Sequence, residues 1–404
     1  MNMHTPSRLQ SGALVAALAL PLLGCGLQSD GLSSPSGQPA SSSVPTPAPT
    51  PSTTPSPSAT AAVLPAAFQD SSAAFNGASG WRITTSSQLQ LTSTSGQAWT
   101  TVSLPATLPV SDVMAVSTAP GGPTLVAAPT AGGVDVLVQA ATGGSWVTHQ
   151  IVPPWPADSG VSGPPASVIF TQAPGGFVDM ALGVGLGHAS ELVDNLVSTN
   201  GGASFVQTML SGQYYWQGVT FASPSDGIVV AGPAFTFLYD TSDGGATWAS
   251  ASLPAAFAHA TFGWPLTSPS GFLVPATLPD GDGGETVTLL ASTDGQSFTQ
   301  AGTPLTIPAA SNPGGIIVAA DQGNSLWVFA QGHVMFTSTN GGGTWTQVTS
   351  PTLPVGIGSA SFSTPTMGTV VSSTTSCAAY KSDCTSATET LVTTDGGLTW
   401  TAQT

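Results

Sequence analysis

The chain has 404 residues, of which only 5% are charged, with 48 Gly and 35 Pro. Nineteen Asp and Glu face three cations, Arg8, Arg82 and Lys381, giving a formal net charge of −16. A polyanion cannot neutralise phosphates, so nucleic acid and anionic lipid headgroups are excluded as partners, and the composition predicts short strands joined by turns rather than helices.

Residues 1–24 read as a signal peptide. Arg8 and the α-amino group form a positive start, and Gly12–Leu23 is an apolar run too short for the roughly 20 residues a spanning helix needs. The run ends in Leu22-Leu23-Gly24-Cys25, which resembles a bacterial lipobox. That resemblance implies that Cys25 is the first mature residue and carries acyl chains, anchoring the protein to the outer face of the bacterial cell membrane. From Ser33 to Thr60, 22 of 28 residues are Ser, Thr or Pro, with too little apolar surface to offset the entropy of ordering. Residues 25–65 are therefore expected to form an extended tether, and 66–404 the single folded domain. A spare strand around Ala61–Phe68 is a candidate to pair with the last repeat.

One signature recurs along that domain. Its full form is Thr241–Trp248 (TSDGGATW), matched by Ser338–Trp345 (STNGGGTW) and Thr393–Trp400 (TTDGGLTW). Ser198–Phe205 (STNGGASF) is a close copy, and Ser292–Phe298 (STDGQSF) is one residue shorter. Two degenerate copies come first, Ser93–Trp99 (STSGQAW) and Ala140–Trp146 (AATGGSW). The closing aromatics, Trp99, Trp146, Phe205, Trp248, Phe298, Trp345 and Trp400, lie 43 to 59 residues apart, the length of a four-stranded blade. The flanks agree, reading strand, turn, strand, turn, strand, signature, strand. Asp or Asn (Asn200, Asp243, Asp294, Asn340, Asp395) accepts turn backbone N–H groups, the Gly pair supplies positive φ, and the aromatic starts the outer strand.

These octets resemble the Asp-box of the bacterial neuraminidase repeat family over residues 66–404. The flanks are also similar to photosystem II stability/assembly factor-like propellers. The resemblance implies an all-β, seven-bladed β-propeller of four-stranded antiparallel blades, with the box joining third and fourth strands. It does not imply sialidase activity. That chemistry grips a carboxylate with three Arg, and the mature part holds only Arg82. A basic surface patch of the assembly-factor kind is equally absent.

Of the three Cys, Cys25 is the lipid site, while Cys377 and Cys384 form a close exported pair that reads as a disulfide. No nucleophile elbow or phosphate loop occurs. His149, His188, His259 and His333 are scattered over separate repeats. Gly183-x-Gly185-x-Gly187 has no following helix and reads as a loop. Asp280, Asp282 and Glu285 have the spacing of an oxygen-ligand Ca²⁺ site, against the plainer reading of a solvated acidic turn. No cofactor and no other metal is expected.

In a four-stranded blade the box shares one face with the turn between strands one and two. The turn between strands two and three lies on the opposite face, with the links between blades. The extra residues of the longer repeats fall mostly on that opposite face. This makes Trp155, Asp158, Glu191, Tyr214, Tyr215, Trp216, Trp264, Asp282, Glu285, Tyr380 and Lys381 the candidate ligand residues. The expected function is a monomeric, surface-tethered, non-enzymatic binding scaffold for an extracytoplasmic protein or glycan. The alternative is a glycoside hydrolase with paired carboxylates drawn from Asp158, Glu191, Asp282, Glu285, Asp383 and Glu389.

Overall fold

The structure, a computed structural model, describes residues 73–403 apart from 85, 142, 154, 156–162, 188–189, 209–215, 308–314, 322, 331–333 and 378–383. The leader, Cys25, the tether and the Ala61–Phe68 segment lie outside the described residues.

Seven antiparallel sheets follow one another along the chain and form the blades of a β-propeller. In each, the strands pair in chain order from innermost to outermost. Blade 1 runs from Ala73–Asn76 to Thr100–Thr101, blade 2 from Ala115–Thr118 to Val147–Ile151, and blade 3 from Ser167–Ala173 to Val206–Thr208. Blades 4 to 7 begin at Trp216–Phe221, Thr261–Phe262, Ile317–Ala320 and Ile357–Phe362. The innermost strand of blade 1, Ala73–Asn76, precedes the segments whose alternation is legible in the sequence. In blade 5 the innermost strand is split into Thr261–Phe262 and Leu266–Ser268, both paired with Gly271–Pro279. Helical structure among the described residues amounts to four three-residue 3₁₀ turns.

The predicted loop at Gly183–Gly187 is instead strand. It continues Phe177–Gly187 and pairs with Ser190–Ser198, with a register shift between Gly185 and Gly187. Glycine is tolerated there because the shift relieves the ladder locally.

Every box joins third and outermost strands. In blade 4, the Thr241 hydroxyl accepts from Gly245 N at 2.9 Å and donates to Asp243 Oδ1 at 2.8 Å. Asp243 in turn accepts from Thr247 N at 2.8 Å and Thr247 Oγ1 at 2.6 Å. Blade 7 repeats this network through Thr393, Asp395, Gly397 and Thr399. Where Asn replaces Asp, the amide donates instead: Asn200 Nδ2 to Ser204 Oγ at 2.9 Å, and Asn340 Nδ2 to Thr344 Oγ1 at 3.2 Å. In five blades a box N–H also bonds the turn between strands one and two, as in Gly244 N to Ser225 O at 2.9 Å. Those two turns therefore share one face.

The degenerate copies each begin one residue earlier than their sequence suggests. In blade 1 the octet is Thr92–Trp99: Thr92 Oγ1 accepts from Gly96 N, and Thr94 Oγ1 replaces the carboxylate by accepting from Ala98 N at 2.9 Å. In blade 2 it is Gln139–Trp146, where Ala141 occupies the carboxylate position; among the described residues, Gly144 N to Ala141 O and Gln139 Nε2 to Gly144 O hold the turn.

In blades 3 to 7 the box glycine three residues before the closing aromatic lies against the preceding blade. A Cβ at Gly202 would come within 2.9 Å of Leu125, at Gly342 within 2.9 Å of Leu289, and at Gly397 within 2.6 Å of Met335. Buried apolar clusters fill six seams, for example Val178, Met180 and Leu182 against Leu125, Val136 and Val138. At the seventh, innermost strands of blades 7 and 1 lie side by side, and Phe75 N donates to Ser361 Oγ at 3.1 Å.

Two variants test the box network. Asp395→Ala is expected to cost about 1 kcal/mol, since three donors, Thr393 Oγ1, Thr399 N and Thr399 Oγ1, lose their acceptor at an exposed site. Ala141→Asp, placed to accept from Ser145, is expected to stabilise by a few tenths to about 1 kcal/mol. Denaturant midpoints at neutral pH measure both, and an unchanged Asp395→Ala midpoint rules out a structural role for the carboxylate.

Candidate functional site

The face opposite the boxes is uneven because the hairpins joining second and third strands differ in length. Those of blades 3, 5 and 7 are long: Phe177–Gly187 with Ser190–Ser198, Gly271–Pro279 with Glu285–Ser292, and Gly368–Cys377 with Cys384–Thr393. The corresponding strands of blades 1, 4 and 6 have four or five residues each. The long hairpins carry several candidates to their ends. Glu191 pairs with Gly185 one step from the tip of the blade 3 hairpin. Asp282 is exposed at the blade 5 tip, and Glu285 opens the following strand opposite Pro279. Burial raises the Glu285 carboxyl above its usual range. Asp158, Tyr214, Tyr215, Tyr380, Lys381 and Asp383 lie outside the described residues, as do His188 and His333.

The tryptophans separate into different settings. Trp155 is half-buried against the cluster between blades 2 and 3, and its Nε1 donates to Gly163 O at 3.1 Å. Trp216 begins the innermost strand of blade 4, opposite Ala231, at the end facing away from the boxes. Trp264 lies just beyond the link between blades 4 and 5. It occupies the break in the innermost strand of blade 5 and lies against Gly218 of blade 4, where a Cβ would come within 2.6 Å of the indole. The residues flanking that break are tied in as well, since Pro265 O accepts from Thr220 Oγ1 at 2.8 Å.

Among the described residues, no cluster of three or more His, Cys, Asp or Glu has a metal-binding arrangement. Asp280 Oδ1 accepts from Asp282 N and Gly284 N, both at 2.9 Å, and so forms the hairpin turn. One described carboxylate pair has acidities displaced in opposite directions, Asp240 and Asp294, and it lies on the box face. Burial, then the nearby Asp294 charge, raises Asp240. Bonds from Gln296 N and Ser292 Oγ lower Asp294. Asp294 is thus occupied by its box turn, and the pair is a poor acid–base couple.

The strongest perturbation is one the sequence reading missed. Asp179, on the second strand of blade 3, is fully buried, and burial pushes its carboxyl up to about 8. Its Oδ1 lies 2.6 Å from Asn195 Nδ2, while Asp179 Oδ2 and Asn195 Oδ1 have no partner. Asn195 Nδ2 also reaches Thr208 Oγ1 at 3.3 Å. The only sequence signal was one acidic residue inside the apolar run Phe177–Leu182.

Comparison with protein-family models finds no match, and comparison with curated proteins finds none. Solved structures with similar architecture include "YCF48 bound to D1 peptide" (17% identity, TM-score 0.48, covering 77% of this chain and 89% of that one). YCF48 from Cyanidioschyzon merolae is similar at 16% identity and TM-score 0.43, covering 85% and 95%. The GH74 xyloglucanase from Xanthomonas campestris is similar at 16% identity and TM-score 0.39, covering 69% and 43%. At these values neither ligand nor activity transfers to this chain.

Asp179 makes a pH prediction with a definite sign. Its carboxyl is neutral in the fold up to about pH 8 but ionises near 4 when unfolded. The folded state then holds the extra proton, so this group's contribution falls as pH rises from about 4 to about 8 and is flat beyond. Asp179→Asn should therefore gain stability relative to wild type across that window. Equal differences at pH 4 and pH 8 would show that Asp179 is already ionised in the fold.

Proposed function

We propose that this chain is a non-enzymatic binding propeller, held at the bacterial surface by lipid on Cys25, that takes an extracytoplasmic protein or glycan on the face opposite its boxes. The unequal hairpins carry this reading. Box-face turns are short and repetitive, whereas the second-to-third-strand hairpins of blades 3, 5 and 7 extend well beyond those of blades 1, 4 and 6. Variable loops on a rigid scaffold are where binding residues concentrate. Attraction of acidic ligand groups is no part of the recognition, because Arg82 and Lys381 are the only cations outside the leader.

The hydrolase alternative needs an acid and a base about 5–10 Å apart. Of its candidates, Asp282 and Glu285 share one hairpin, and Glu389 is exposed opposite Ser372 in blade 7. Glu285, whose carboxyl burial holds protonated above its usual range, is the described candidate best suited to a general acid. The binding reading is favoured because the described carboxylates with opposed acidities are on the other face.

Replacing the blade 5 tip, residues 280–284, by a two-residue turn, or Trp216 by Ala, should abolish binding on a glycan and peptide array without lowering the unfolding midpoint. Turnover of any member of a broad polysaccharide panel by the purified chain would overturn the non-enzymatic assignment.

The backbone register places Cys377 opposite Cys384 in the blade 7 hairpin, which supports a disulfide there. Intact-mass analysis of exported protein should find acylated Cys25 as first residue and two hydrogens fewer than the free dithiol. Cys25→Ser should move the protein from the membrane to the soluble fraction. A non-acylated N-terminus elsewhere rejects the anchor.

A further inference from the structure

Blade 2 departs from the rule that seats the boxes of blades 3 to 7. Its corresponding glycine, Gly143, has no described atom within 4 Å of where a Cβ would stand, and neither does Gly121 in the neighbouring turn. The octets flanking this seam are also the two with neither Asp nor Asn at the third position, Thr94 and Ala141 standing in its place. A cleft of about 350 Å³ opens there on the box face, between blades 1 and 2.

Half of its lining residues carry hydroxyls, among them Ser79, Ser93, Thr94, Thr100, Thr118 and Thr124. No charged and no aromatic side chain lines it among the described residues. The Thr118 hydroxyl is buried with no protein partner, leaving hydrogen-bonding capacity unused. Leu91 and a few alanine methyls supply the apolar surface, too little to seat the side-chain anchors of a peptide.

We propose that this cleft binds a neutral polyhydroxylated ligand, the end of an uncharged glycan chain. The lining hydroxyls outside the box hydrogen bonds, such as Ser93 and Thr100, both donate and accept, as sugar hydroxyls do. The volume falls within the range of small-molecule sites, and the strongly negative protein repels acidic sugars. The site is separate from the opposite face and does not depend on the reading given there.

Calorimetric titration of the exported chain with neutral gluco-, manno- and xylo-oligosaccharides, alongside uronic-acid oligosaccharides and a peptide library, tests it. At least one neutral series should bind, and the uronic acids should not. Ala140→Trp, which fills the cleft, and the pair Ser93→Ala with Thr100→Val, which removes hydroxyls outside the box hydrogen bonds, should each weaken binding at least about tenfold. Asp282→Ala on the opposite face should leave it unchanged. The paired variant guards against misfolding of the tryptophan variant, and thermal unfolding monitors both. The proposal is overturned if no neutral oligosaccharide binds, if both cleft variants bind as wild type, or if peptides or uronic acids are what the cleft variants lose.

Discussion

The fold depends on how each box meets the blade before it. The first Ser or Thr hydroxyl of the octet takes a glycine N–H, and that glycine, lacking a Cβ, lies within contact distance of the neighbouring core. A left-handed backbone is required at the same residue: Gly245 has φ of 89° and Gly397 of 99°. One position thus answers two demands, a turn conformation that side chains resist and an approach that a methyl would block. The aromatic two to three residues on then enters the seam, as when Trp345 Nε1 donates to Thr303 O of blade 5. Blade spacing around the ring follows from these contacts.

This arrangement explains which features were legible in the sequence. Seven spaced signatures reveal seven blades because turn geometry restricts residue type strongly. The flanking strands of blades 4 and 6 are legible because their alternation between two packed faces survives in the residues. Ala73–Asn76 lacks that clarity, being four residues of an edge with no signature beside it. The start of the octet in blades 1 and 2 is equally hidden, because Thr92 and Gln139 act through hydrogen bonds that other residue types can make. Asp179 escapes notice because one carboxylate in an apolar strand says nothing of whether it is solvated. The break in the strand around Trp264 has no signal in the sequence, and Gly263 N still keeps the strand in place by donating across the sheet to Pro275 O at 2.8 Å.

Carboxylates in this protein are largely committed to architecture. Asp243 and Asp395 close turns, Asp280 shapes a hairpin tip, and Asp179 is stored inside a wall. With few cations to answer them, polar recognition falls to hydroxyls, amides and backbone. The two faces then offer different surfaces: projecting hairpins on one, and short turns with an uncharged recess on the other.

Blade 1 stands between the ring's two least closed joints. On one side lies the seam to blade 7, bridged by Phe75 N and Ser361 Oγ and without an apolar cluster among the described residues. On the other lies the recess that Gly143 fails to cover. Its amides should accordingly exchange with solvent through partial opening at a lower free energy than those of blades 3 to 6. A molecule lodged in the recess would act as a latch, because whatever binds only the shut ring makes opening rarer in proportion to its occupancy.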